Sequence, residues 1–343
     1  MIRLYNEADR DLWNRYVMAS NTSTCYHLIS WKDVIEGSLG HKTYYLLSEN
    51  KEKEINGILP LVRLKSLLFG NFMVSLPYFN YAGICSDNRE ISDQLLNEAI
   101  NIAKNENAGH IEFRETLLMD KGISVKTTKV SMILELPSES EALWYLLGSK
   151  LRSQIRRPIK EGMYSKLGRM EELDNFYKVF STNMRDLGTP VYSKGFFKSI
   201  LEAFPSSSWI GTVYTKEGLP TASGFIVSFK ETVQIPWASS LRGYNHYSPN
   251  MLLYWSLLEF ACKKGYKVFD FGRSTPDQGT YRFKEQWGAK PVQLYWYYWM
   301  RNGGPLPDFN PENPKYRTAV NIWKKLPVGL TRLIGPFIVK NLP

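Results

Sequence analysis

The segment Tyr281-Arg282-Phe283-Lys284 sets a lysine among bulky rings, with Phe283 before it and Trp287 three residues after. Aminolysis of an ester or thioester needs an amine that can shed a proton and a donor for the oxyanion that develops. A lysine in such apolar company suits the part of a cation in a partly dry site. Upstream, Phe269-Asp270-Phe271-Gly272-Arg273 reads as a buried strand running into a polar, glycine-bearing loop, the usual place for ligand contacts on an α/β sheet. Lys284, Arg273 and Asp270 are the candidate catalytic residues, with Asp270 either positioning Arg273 or satisfying strand-end backbone. Tyr281 and Phe283 are candidate substrate contacts.

Two other segments carry charge. Ser149–Pro158, extended to Lys160, packs Lys150, Arg152, Arg156, Arg157 and Lys160 into about three helical turns. A short basic helix can neutralise several phosphates, and arginine adds bidentate contacts; the alternative is a solvated linker helix. The loop Ser239–Asn250 opens the next helix, whose free amides attract anions. Acetyl-CoA enzymes place a compact Arg/Gln-x-x-Gly-x-Gly/Ala turn there. This chain offers Arg242-Gly243 and then bulky Tyr244, Asn245, His246 and Tyr247, which counts against coenzyme A. Arg242 and Asn245 are candidate contacts, and His246 is either a general base or a structural loop histidine.

The same order of elements occurs twice around these segments. In the first half, Tyr44–Ser48 and Ile55–Leu64 have strand patterning. Strand Phe72–Pro77 and the Tyr/Asn/Gly loop Tyr78–Gly83 follow, then a helix with apolar spacing over Ile91–Asn105 and a short strand, His110–Arg114. In the second, Trp209–Thr215, Thr221–Phe229 and Thr232–Ala238 precede the loop at Ser239, a helix over Met251–Lys264 with a glycine cap at Gly265, and strand Lys267–Phe271. Pro77 precedes Arg114 by the same interval as Pro236 precedes Arg273, which suggests internal duplication. This order is that of the GNAT acyltransferase superfold, so the expected architecture is α/β: two tandem GNAT-like lobes with mixed sheets. Tyr78, Asn80, Tyr81 and Arg114 of the first copy and Trp237 of the second are further candidate substrate contacts. Expected boundaries are 1–145 for the first lobe, 146–302 for a catalytic second lobe, and 303–343 for a linker and an apolar-basic tail.

Charge separates the halves. Residues 1–145 hold 15 Lys and Arg against 19 Asp and Glu, whereas residues 146–343 hold 28 against 14. A basic second half suits a polyanion such as RNA, a phosphorylated substrate or an anionic membrane. Cys25, Cys85 and Cys262 are odd in number and far apart, with no metal-ligand spacing among them and the four histidines; neither a disulfide framework nor a zinc site is expected. Residues 1–15 are polar and no apolar run reaches the ~18 residues that span a bilayer, so a soluble, cytoplasmic protein is expected. Gly303–Pro314 has linker composition. In Leu326–Lys340, apolar residues mix with Arg332 and Lys340, which describes either an amphipathic foot on the inner face of the membrane or a segment that completes a core.

The segments Ser149–Gly162, Ala238–Arg273 and Tyr281–Lys284 resemble the FemAB family, the aminoacyl-tRNA-dependent transferases that build peptidoglycan cross-bridges. Arg185-Asp186-Leu187-Gly188-Thr189-Pro190 and Phe271-Gly272-Arg273-Ser274 are similar to the FemAB-like proteins of exosortase (PEP-CTERM) and exopolysaccharide clusters. The resemblance implies a second lobe that carries catalysis, with Lys284 matching the lysine of the family's Phe-Lys pair. It also implies aminoacyl-tRNA, or acyl-CoA, as co-substrate with no tightly bound cofactor, and an envelope or polysaccharide amine as acceptor. Two departures bear on the acceptor. No charged helical arm interrupts residues 190–300, and Ile35 follows Trp31 where a cross-bridge enzyme has a lysine for its nucleotide-linked acceptor. The competing functions are an acyl-CoA N-acyltransferase on the same fold and a non-catalytic tandem protein that binds a polyanion.

Overall fold

The computed structural model describes residues 1–120, 122–307 and 314–343. The chain divides into two compact units. Unit 1 comprises Met1–Val130, Val292–Phe309 and Lys340–Pro343, and unit 2 comprises Ser131–Pro291 and Asn310–Val339. Residues 131–145 thus lie in unit 2, and residues 292–302 in unit 1, because the strands Val130–Glu135 and Tyr295–Met300, each before an expected boundary, pair in the sheet of the other unit. Of the expected linker 303–314, residues 308–313 lie outside the described residues.

Unit 1 contains strands β1 (Ile2–Leu4), β2 (Lys42–Thr43), β3 (Leu46–Glu49), β4 (Ile55–Leu59), β5 (Val62–Ser66), β6 (Gly70–Val74), β7 (Cys85–Ser86), β8 (His110–Glu115) and β9 (Ser124–Lys126). Its helices are α1 (Arg10–Ala19), α2 (Ser30–Leu39) and α3 (Arg89–Asn105), and β17 (Tyr295–Met300) returns to it from late in the chain. Two sheets result, in the orders β1-β3-β4-β7 and β2-β5-β6-β8-β17-β9. The apolar run expected as one strand over Ile55–Leu64 is therefore two strands in different sheets. Pro60, which has no N–H to donate to a ladder, stands where the chain leaves the first sheet. Helix α3 begins where the Asn88 side chain accepts from the Ile91 amide at 3.0 Å, a side-chain cap of the usual kind. Its apolar face, Ile91, Leu95, Ala99 and Ile102, packs on Leu46, Leu59, Met73 and Phe113.

His110 opens β8 with its ring parallel to that of Phe72, centroids 4.8 Å apart. Burial pushes its pKa down from the ordinary 6.5 to about 4, with Glu112 opposing the fall and Lys126 adding to it. Between these values the unfolded chain binds more protons than the folded one, so stability falls as pH drops from 6.5 towards 4. His110→Phe keeps the stacked ring and removes the proton site. Denaturant midpoints across that window are expected to lose part of their slope in this variant.

Unit 2 contains strands β10 (Val130–Glu135), β11 (Tyr164–Gly168), β12 (Ser208–Tyr214), β13 (Pro220–Phe229), β14 (Thr232–Ser240), β15 (Val268–Ser274) and β16 (Lys290–Gln293). They form one sheet, β11-β12-β13-β14-β15-β10-β16. Its helices are α4 (Ser140–Leu146), α5 (Ser149–Lys160), α6 (Leu173–Leu187), α7 (Lys194–Ala203), α8 (Pro249–Lys263), α9 (Gly279–Glu285), α10 (Pro314–Trp323) and α11 (Val328–Val339). Every residue of β13 is buried, which matches its near-continuous apolar and small composition. Gly211 and Gly224 face each other across β12 and β13. A Cβ on Gly211 would stand 2.8 Å from Leu257 Cδ2, so the bare backbone is what admits helix α8 at this distance. Cys25, Cys85 and Cys262 are each buried and outside any disulfide.

Candidate active site

Strands β14 and β15 run parallel, but their pairing ends at Gln234 opposite Asp270. Beyond that pair the ladder stops, and a cavity of about 260 Å³ lies at the end of β14. It is lined by Asn183 of α6, Ala238, Ser239 and Ser240 of β14, Asn250 and Tyr254 of α8, and Gly279, Thr280, Phe283 and Lys284 of α9. Helical spacing explains the selection: Asn250 and Tyr254 are four apart, and Gly279, Thr280, Phe283 and Lys284 fall on one stripe.

Lys284 therefore sits on a helix rather than in the loop expected around it. Asp277, with φ +63°, turns the chain just before α9 begins. The Lys284 side chain is buried, and its Nζ donates to the carbonyls of Gly272 at 2.9 Å and Arg273 at 2.8 Å. Gly272 has φ +75°, a conformation that favours glycine, and this kink is where the two successive carbonyls meet one ammonium. Two of its three protons are thereby occupied, leaving one for a group in the cavity. Burial pulls the Lys284 pKa down to about 8; the Asp270 carboxylate resists this and Arg273 adds to it.

Phe283 lies edge-on to Tyr254 at 5.0 Å, and Tyr254 stacks on Phe271 at 5.5 Å with 12° between planes. Tyr254 holds its proton more strongly than an ordinary phenol because it is buried. Asn183 Nδ2 donates to Ser239 Oγ at 3.0 Å, tying α6 to the end of β14. Asn183, Ser239, Ser240, Asn250 and Tyr254 were not nominated from sequence. The serines and Asn250 belong to a loop already singled out, but Asn183 and Tyr254 sit inside helices with no local signal.

Several nominated residues stand elsewhere. Asp270 is not on the cavity wall: its Oδ1 accepts from Ser131 Oγ at 2.6 Å and from the Gly272 amide at 2.7 Å. These bonds tie the end of β15 to β10. Arg273 is exposed and Tyr281 half-buried, and neither lines the cavity. Trp237 is a core residue, edge-on to Phe197 at 5.1 Å and Phe225 at 5.6 Å, because its strand parity turns it into the aromatic cluster under α6 and α7. Arg242 donates to the Asp186 carbonyl at 3.0 Å, while Asn245 and His246 are exposed on the 3-10 helix Arg242–Tyr247. On α5, Leu151, Ile155 and Pro158 are buried, leaving Lys150, Arg156 and Arg157 exposed and Arg152 half-buried. Arg156 lies 5.1 Å from the Trp144 ring centroid.

The first copy differs at the matching place. Strands β6 and β8 also run parallel, with Met73 opposite Ile111 and Val74 opposite Glu112. These partners are 38 residues apart, against 36 in unit 2, so the equal proline-to-arginine intervals are not a structural register. Here residues 75–82 bridge the strand ends. Ser75 Oγ accepts from the Arg114 amide at 2.8 Å, Arg114 Nη1 donates to the Phe79 carbonyl at 2.6 Å, and the Ala82 amide donates to the Arg114 carbonyl at 3.0 Å. Arg114 Nε also donates to Glu112 at 2.6 Å, and its guanidinium lies 4.4 Å from the Trp296 ring centroid. Tyr78 Oη bonds His41 Nε2 at 2.7 Å, and the Asn80 carbonyl accepts from Trp296 at 3.1 Å. Tyr81 and Arg114 border a different cavity of about 330 Å³ in unit 1, whose wall also includes His27, Arg89, Glu115 and Asp120. It is larger than the Lys284 cavity, but among the described residues no lysine lines it.

Residues 149–285 match the acetyltransferase (GNAT) domain family. No curated protein matches the chain. Among solved structures, FemX superposes with TM-score 0.66 at 15% identity, over 87% of this chain and 97% of that one. L-PGS from Bacillus licheniformis gives 0.59 at 16%, over 97% and 99%. A tandem GNAT protein from the clavulanic acid biosynthesis pathway gives 0.51 at 10%, over 90% and 100%. At such identities the likeness establishes fold alone. The chain carries a GNAT domain over residues 149–285 within a mixed α/β fold of the tandem GNAT-like kind.

Proposed function

We propose that this chain is a FemAB-like transferase that moves an activated aminoacyl group, carried as an ester on tRNA, to an amine of an envelope or exopolysaccharide precursor. The observation that carries it is the buried ammonium of Lys284 at the end of β14, with one proton unused. The acceptor amine attacks the ester carbonyl, the C–N bond forms, and the ester C–O bond breaks to release the carrier's hydroxyl. The proton lost by the amine goes to that leaving oxygen. Lys284 supplies charge to the developing oxyanion, and Asn183, Asn250 and Tyr254 supply hydrogen bonds that orient the reacting groups. The exposed Lys150, Arg156 and Arg157 of α5 suit the phosphates of a nucleic-acid carrier.

The GNAT domain match supports a second reading, with an acyl-CoA donor. The backbone before α8 speaks against it. The amides of Tyr244, Ser248 and Met251 donate to Leu241, Asn245 and Ser248 at 3.0 Å each, and Pro249 has none, so few amides remain to cradle a pyrophosphate. Labelled aminoacyl-tRNA and labelled acyl-CoA, each offered with amine acceptors, separate the two readings. Consumption of aminoacyl-tRNA above the Lys284→Ala background is expected. Consumption of acyl-CoA alone would replace the first reading with the second, and consumption of neither would end both.

A further inference from the structure

Among the described residues Lys284 is the one buried lysine, at 8% exposure. Its Nζ makes no ion pair there, and its bonds go to the carbonyls of Gly272 and Arg273. The Asp270 carboxylate favours the charged form through space, but its Oδ1 is bonded to Ser131 and the Gly272 amide. Arg273 opposes it. The groups that border the cavity from other elements are neutral: Asn183 of α6, Ser239 and Ser240 of β14, Asn250 and Tyr254 of α8. A buried ammonium in such company sheds its proton readily.

Losing that proton leaves the hydrogen bonds undisturbed. A charged lysine has three N–H donors, whereas the neutral amine keeps two and gains a lone pair in the third tetrahedral position. Two donors are what the Gly272 and Arg273 carbonyls require, at 2.9 and 2.8 Å. The lone pair takes the place of the proton that the charged form holds for the cavity. One side-chain position therefore serves as a cation or, once neutral, as a nucleophile. The side-chain amide of Asn250 and the phenol of Tyr254 border the same space and can donate to an oxygen that turns negative there.

We propose that Lys284 is a site of covalent acylation, at which the neutral amine captures a small activated acyl group (an anhydride, acyl phosphate or reactive ester) as an amide. The lone pair attacks the carbonyl carbon and the N–C bond forms. The bond to the leaving group breaks, and the proton shed by nitrogen goes to that group. The amide carries one N–H and no charge, so one of the two carbonyls loses its donor and the cation is gone. A lysine so marked no longer serves a developing oxyanion, which makes acylation an off-switch. That consequence rests on the transfer reading; the capture itself does not.

The test is trace acetylation of the full chain with acetic anhydride between about pH 6 and pH 10, read at each lysine by mass spectrometry. Lys150 and Lys160, exposed and outside any ion pair among the described residues, are the internal references. At pH 8 about half of Lys284 is neutral, against roughly 0.4% of a lysine at the ordinary value. A less basic nitrogen is also a weaker nucleophile, as it is for thiols, so labelling about tenfold faster than the references is expected at that pH. The Lys284 rate should level off above about pH 9 while the references keep rising. A Lys284 profile that follows the references overturns the proposal, as does absence of label at Lys284 throughout. Neither carrier nor acceptor is present, so failure here leaves the transfer reading standing, and failure of the donor assay leaves the acylation site standing.

Discussion

Replacing Lys284 by methionine should lower kcat/KM for transfer by about a hundredfold or more while leaving the fold intact. The magnitude follows from deleting one preorganised donor to a developing oxyanion, about 2.7–4 kcal/mol. The fold should survive because two effects oppose each other. The variant removes a cation that is costly to bury, and it leaves the Gly272 and Arg273 carbonyls without their donor. Melting within a few degrees of the parent, together with lost transfer, separates a role in chemistry from a role in packing. The pH profile adds a second check. With the Lys284 pKa at about 8, the charged form declines as pH rises through that value, and the oxyanion contribution should decline with it. A titrating acceptor amine gains reactivity over the same range, so the profile for an acceptor of fixed charge state is the informative one. A parent-like rate in the methionine variant would remove Lys284 from the mechanism.

Arg114→Met should have the opposite signature, with stability lost. Arg114 and Glu112 are 2% and 3% exposed, and Glu112 also accepts from Tyr298 Oη at 2.9 Å. Removing the guanidinium strands a buried carboxylate and releases the Phe79 carbonyl. Breaking a buried pair in this way costs about 3–5 kcal/mol, enough to move a denaturant midpoint far outside error. Adding Glu112→Gln to Arg114→Met removes the stranded charge and should restore part of the loss, a coupling that a double-mutant cycle reads directly. If Arg114 instead served substrate, the single variant would keep its midpoint and change KM.

How far the sequence reached can be seen by setting these two residues side by side. Local patterning located both strand ends, the helix before each and the order in which they repeat; most strand and helix bounds fall within two or three residues of those expected. The exceptions have local causes. Pro60 divides a run that periodicity joins, and α9 is too short for an apolar period to distinguish it from loop. The nomination of Lys284 rested on the aromatic residues beside it, of which Phe283 shares the cavity wall with it. Arg114 and Trp237 were nominated on the same kind of evidence and are packed into cores.

What the sequence by itself determined is the α/β class, the tandem repetition, the basic second half and the segments from which a site would be built. What the tertiary structure decided is that the second copy sets a buried lysine on a cavity wall. Both copies carry parallel strands whose pairing is short, and nothing in the linear pattern says that residues 75–82 fold back on Arg114 while the end of β14 borders the Lys284 cavity. That outcome depends on hydrogen bonds between residues some forty positions apart, and on helix α9, which follows β15 and brings Lys284 beneath the Gly272 kink. The seating of α11, with Thr331, Gly335 and Val339 buried, is of the same kind. Its composition leaves core and surface equally open, and only the close approach at Gly335 fixes which side is buried, since a small residue at the contact turns the large ones outward.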